Sequence, residues 1–114
     1  MIKIVLTGSV PSKKNQRNIF VRGGKICNIP SKKYKEWHDC KQWEVINQCK
    51  IKNIESCELL VRFYPPDKRR ADCTNKAESV MDLLVDCGVL KDDNWFVVKK
   101  VIMEMIEIDR SFPR

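Results

Sequence analysis

Six carboxylates fall within residues 72–93, namely Asp72, Glu78, Asp82, Asp86, Asp92 and Asp93, against only Lys76 and Lys91, a local net charge of −4. Carboxylate oxygens are hard ligands, and the divalent ions they suit in phosphate chemistry are Mg²⁺ and Mn²⁺. Two such ions about 3.5–4 Å apart activate a water and stabilise the departing oxygen of an in-line displacement. Lys68, Arg69 and Arg70 directly precede the acidic stretch and are placed to seat a phosphodiester. The alternative is plain: Glu78, Asp82 and Asp86, spaced i, i+4, i+8, solvate one face of a helix, and Asp72 adds negative charge near its N-terminus.

The elements that must position these groups are legible in the pattern. Cys57, Leu59, Val61 and Phe63 alternate with Glu58, Leu60, Arg62 and Tyr64, a strand that Pro65-Pro66 ends by removing backbone donors. Thr74 is placed to cap a following helix that turns Ala77, Val80, Met81 and Leu84 inward and stops at Gly88. Lys91 to Asn94 form a polar turn, and Trp95 to Ile108 read as a long final strand or hairpin. A helix from about Asn75 to Cys87 spans roughly 20 Å. The turn carrying Asp93 must therefore fold back to approach Asp72, with a strand laid beside residues 57–64 as the return path.

Upstream, the alternation in Ile2 to Thr7 predicts a strand ending at Gly8. Asn18–Arg22 and Lys25–Asn28 flank Gly23-Gly24, the spacing of a two-residue hairpin. Ser31 is placed to cap a helix running to about Gln48, with Tyr34, Trp37, Cys40, Lys41 and Glu44 or Val45 as its stripe. Trp37 and Trp43 are expected in the core, while Trp95 packs over the acidic turn or at a subunit interface.

The 114 residues carry a formal net charge of +7, and the first 35 contain nine Lys or Arg and no acid. Such a surface attracts polyanions, and Lys13, Lys14, Asn15 and Arg17 are the candidate phosphate contacts. With 43% hydrophobic residues the chain has the composition of a folded domain, and its length suits a single one, residues 1–114. No apolar run approaches the roughly 18 residues of a membrane span and no signal peptide is evident, so a cytoplasmic protein without a membrane partner is expected. The six cysteines lack Cys-x-x-Cys spacing and read as reduced thiols, with no paired rhythm for zinc.

The run Arg69-Arg70-Ala71-Asp72-Cys73-Thr74-Asn75-Lys76-Ala77-Glu78, followed by Met81-Asp82-Leu83-Leu84, Cys87-Gly88 and Asp92-Asp93, resembles the RusA family of Holliday junction resolvases. Pro11-Ser12-Lys13-Lys14-Asn15 and Ser31-x-x-Tyr34-x-x-Trp37 are similar to that family's early basic loop and first helix opening. The resemblance implies an α+β domain with a mixed β-sheet and two α-helices. It also implies a homodimer that makes paired, Mg²⁺-dependent symmetric nicks in four-way DNA junctions during recombination and repair, with Mn²⁺ as a substitute ion. The family's catalytic aspartates map onto Asp72 and Asp93, with Asp92 as the partner of the acidic pair and Asp82 as an inner helix aspartate. Two positions depart from the family pattern: Thr74 stands where a second aspartate is usual, and Glu78 where a lysine is usual. The expected metal ligands are accordingly Asp72, Glu78 and Asp93 with Asp92 beside them, and Lys76, two positions early, is the candidate for the family lysine. The competing expectation is a catalytically impaired protein that binds junction or duplex DNA.

Overall fold

The computed structural model describes residues 1–11, 17–22, 25–30 and 32–114, of which 17–22 and 25–30 by their backbone. Strands β1 (Arg17–Arg22) and β2 (Lys25–Pro30) pair antiparallel from Arg17↔Pro30 to Arg22↔Lys25, the register of a two-residue connection. Gly23-Gly24, Ser31 and the loop residues Lys13, Lys14 and Asn15 lie outside the described residues. Helix α1 (Lys32–Gln48) is followed by β3 (Cys57–Phe63), α2 (Cys73–Asp86) and β4 (Val98–Met105). The α+β class and the two helices are those expected, and the two kinds of strand pairing occupy separate two-stranded sheets.

Strands β3 and β4 pair parallel, from Cys57↔Val98 to Phe63↔Met105, with an irregularity between Cys57 and Glu58. A parallel pair requires a crossover, and α2 supplies it. The pairing begins before β3, through the Ile54↔Leu90 bridge and the bond from Cys57 N–H to Val97 O. Tyr34, Trp37, Val45 and Cys49 from the α1 region meet Val80, Leu83 and Leu84 of α2, and Leu59, Phe63 and Val101 pack against this cluster from the sheet. Leu83, fully buried, takes the central place that the spacing assigned to Met81, which is only partly covered.

Residues 1–7 form no strand. Side chains of α1 satisfy their backbone instead: Gln48 accepts from Val5 N–H at 2.7 Å and donates to Val5 O at 2.7 Å, and Glu44 accepts from Thr7 N–H at 3.0 Å. Alternation alone could not reveal that the partner is a helix. Trp43 is likewise a correction, 69% exposed where Trp37 is 9% exposed, because the buried stripe of α1 runs through Tyr34, Trp37 and Val45.

Candidate active site

Helix α2 begins at Asp72, whose extended backbone and accepting side chain make it the N-cap. Its Oδ1 takes the Thr74 N–H at 3.0 Å and the Thr74 hydroxyl at 2.5 Å. The cap expected at Thr74 is thus at Asp72, because the aspartate reaches the first free amide two residues on. Thr74 serves as a donor to that carboxylate. On the approach to the helix, Asp67 Oδ2 receives Arg69 Nη2 at 2.9 Å, and its Oδ1 accepts the Arg69 N–H at 3.0 Å. Arg69 holds the Asp67 carboxyl below its ordinary range. Lys68 and Arg70 are exposed.

At the other end of α2, Gly88 adopts a left-handed φ of +79°, the expected stop. The chain then turns through residues 91–97. Asp92 orders that turn, accepting from Asp93 N–H at 2.7 Å and Asn94 Nδ2 at 3.0 Å, and these bonds lower its pKa. Asn94 continues the work by accepting Phe96 N–H at 3.0 Å. Asp93 behaves oppositely. Partial burial first, then hydrogen bonding to Asp92 and the negative charges of Asp82 and Asp92, push its carboxyl above the ordinary value.

The parallel pairing decides what can meet. Asp72 lies beyond the C-terminal end of β3, whereas Asp92 and Asp93 precede the start of β4, at the N-terminal end of the sheet. The strand expected as a return path therefore carries Asp93 toward the later turns of α2. From Asp72 to Asp82 the helix rises about 15 Å. Asp82, Asp92 and Asp93 come into electrostatic contact, while Asp72 stands at the opposite end of the helix with the basic loop. Glu78, between them, is exposed. Among the described residues no three of His, Cys, Asp or Glu gather closely enough to hold one metal ion between them.

Lys76 occupies the first turn of α2, and its ammonium donates to Val10 O. Burial, then the nearby charge of Lys33, lower its pKa. Val10 and Pro11 are buried, and Val10 is thereby fastened at the Asp72 end of α2. Spacing could not disclose this contact, which joins positions 66 residues apart. His38 packs between the helices with Nε2 2.7 Å from Asp86 Oδ2, which assigns that carboxylate to helix pairing. Five cysteines, Cys40, Cys49, Cys57, Cys73 and Cys87, are free thiols.

The family model described as endodeoxyribonuclease RusA matches residues 9–111. The chain belongs to the RusA endodeoxyribonuclease family. A crossover junction endodeoxyribonuclease RusA of Aquifex aeolicus (strain VF5) is 29% identical over 86 residues, which cover 75% of this chain and 67% of that protein. Asp93 and its neighbour Asp92 offer the oxygen donors a hard cation takes, and the negative charge around Asp93 is what a cation relieves. Mg²⁺ retains several waters and is commonly held by one or two carboxylates with substrate phosphates, so a small carboxylate set fits it. Trp95 and Phe96, 79% and 71% exposed, follow this acidic corner and stand edge to face, 6.3 Å between ring centroids. Beyond this contact with Phe96, Trp95 is largely exposed among the described residues. Among the described residues no helix is long and apolar enough to cross a membrane.

Proposed function

We propose that residues 1–114 act as one RusA-like endonuclease domain that resolves four-way DNA junctions by paired, Mg²⁺-dependent phosphodiester cleavage, with Mn²⁺ able to substitute. The observation that carries the reading is the match to the RusA family over residues 9–111, with Asp93 set near Asp82 and Asp92 in a chain of net charge +7. Bound there, the cation supplies charge neutralisation and lowers the pKa of its water.

The protein's own groups do the rest. Asp93, with its neighbour Asp92, would hold the ion with substrate phosphate completing its shell; Asp72, at the other end of α2 and bonded to Thr74, starts the helix beside the basic loop. Glu78 lies on the exposed surface between the two ends, as a further carboxylate for a substrate-bound ion. Lys68, Arg69, Arg70 and Arg17, with Lys13, Lys14 and Asn15, contact the DNA backbone. Lys76 acts by fastening Val10 to the start of α2, a positioning role. A two-fold homodimer presents two equivalent sites to the two equivalent strands of a junction. A DNA-acting protein of this kind works in the cytoplasm.

The test is nicking of a synthetic four-way junction, with linear duplex and single strands as controls, over titrations of Mg²⁺ and Mn²⁺. Metal-dependent, symmetric cuts on the junction are expected. Tight junction binding without any cleavage would instead identify a catalytically impaired binder.

A further inference from the structure

Parallel sheets are normally covered on both faces, because their strands carry apolar side chains on each side. The β3–β4 sheet has one such cover: Leu59, Phe63 and Val101 face the core built by α1 and α2. Among the described residues the opposite face is open. Leu60 and Ile102, paired across the strands, are 47% and 40% exposed. On one side of them in the register lies the pair Glu58↔Lys100, and on the other Arg62↔Glu104, all four exposed. Arg62 Nε and Glu104 Oε2 stand 3.3 Å apart.

Each outer row thus holds one acid and one base, on alternate strands, about an apolar centre. Such a face is its own electrostatic complement. Turned over about an in-plane axis perpendicular to the strands, Glu58 falls opposite Arg62 and Lys100 opposite Glu104. Turned about an axis parallel to the strands, Glu58 falls opposite Lys100 and Arg62 opposite Glu104. An isologous interface demands this property, since each patch meets itself. A polyanion gains nothing from a neutral face with an apolar middle. We infer that the open face of β3–β4, centred on Leu60 and Ile102, is the surface on which a second copy of this chain docks, forming a two-layer sheet sandwich. This rests on, and locates, the homodimer of the proposed function.

Sedimentation equilibrium of the full chain tests it. Leu60→Asp and Ile102→Asp should each weaken the dimer at least about 30-fold, the loss of a central anchor, with unchanged circular dichroism because both residues are already exposed. Glu58→Lys should weaken it too, and either Glu58→Lys/Arg62→Glu or Glu58→Lys/Lys100→Glu should restore it, according to which axis is used. Failure of both double variants to restore it would overturn the charge matching. A dimer indifferent to Leu60→Asp and Ile102→Asp would remove the interface from this face and leave the homodimer standing. A wild-type chain that stays monomeric would overturn both.

Discussion

Asp82 on α2 and Asp93 in the turn before β4 lie close enough that the charge of one opposes ionisation of the other. Nothing local brings them together, since they belong to different elements joined through the Gly88 stop. The parallel return of the chain beside β3 makes the contact, and the repulsion is tolerated in a position that a cation would stabilise.

Replacing Asp93 by Asn should separate function from stability. Junction nicking in Mg²⁺ is expected to fall at least about 100-fold, while junction binding in EDTA persists. Because the folded state raises this carboxyl, it binds more protons there than unfolded, and stability is lost as the pH rises through the raised value. The Asn variant should therefore match the wild type below the ordinary aspartate range and exceed it at neutral pH, by about 0.2–1 kcal/mol for so exposed a group. Urea unfolding at both pH values measures it, and unchanged nicking would dismiss Asp93 from the site.

Lys76→Met should remove the anchor at Val10, with Lys76→Arg as the conservative control. The expected cost is about 1–3 kcal/mol of stability, as for a hydrogen bond from a charged donor. Junction binding should weaken with a shallower salt dependence, since Val10, which leads into the basic residues Lys13 and Lys14, is no longer fastened to α2. Loss of turnover at unchanged affinity and salt slope would return Lys76 to a catalytic role.

Glu44 gives the molecule an acid-sensitive fastening. Burial alone would raise its carboxyl, but bonds from Lys41 and from the Thr7 hydroxyl and amide outweigh that effect and lower it. Lys41 Nζ stands 2.7 Å from Oε2, and the Thr7 hydroxyl donates to Oε1 at 2.6 Å. A lowered carboxyl stabilises above its ordinary value, and that contribution disappears as the pH falls through the folded value. Glu44→Gln should cost about 1 kcal/mol at pH 7 and nothing once the wild-type carboxylate is protonated. Hydrogen exchange at residues 5–7 should report the same release, and equal protection in both proteins at pH 7 would contradict it.

Trp95→Ala and Phe96→Ala should leave the melting temperature almost unchanged, because both rings are exposed. Placed beside the acidic corner, they are positioned to stack on unpaired bases at a branch point, and each should contribute about 1–3 kcal/mol to binding. Competition between a four-way junction and a linear duplex is the measurement. Equal losses on both DNAs would assign the rings to the backbone groove in place of the branch.

The sequence by itself determined the helices, the hairpin register, the β3 and β4 segments, the Gly88 stop and the family, because periodicity, turn chemistry and motif order are properties of neighbouring residues. It also singled out Asp93 and the basic loop before α2. Only the tertiary structure decided that Asp72 caps α2, that Lys76 reaches Val10, and that residues 1–7 are held by α1 side chains. It also exposed Trp43 and set Asp93 beside Asp82 at the far end of the helix from Asp72. The physical reason is common to all of these. Alternation is the same for parallel and antiparallel strands, and a polar side chain carries no record of which distant carbonyl or carboxylate it will meet once the core has closed.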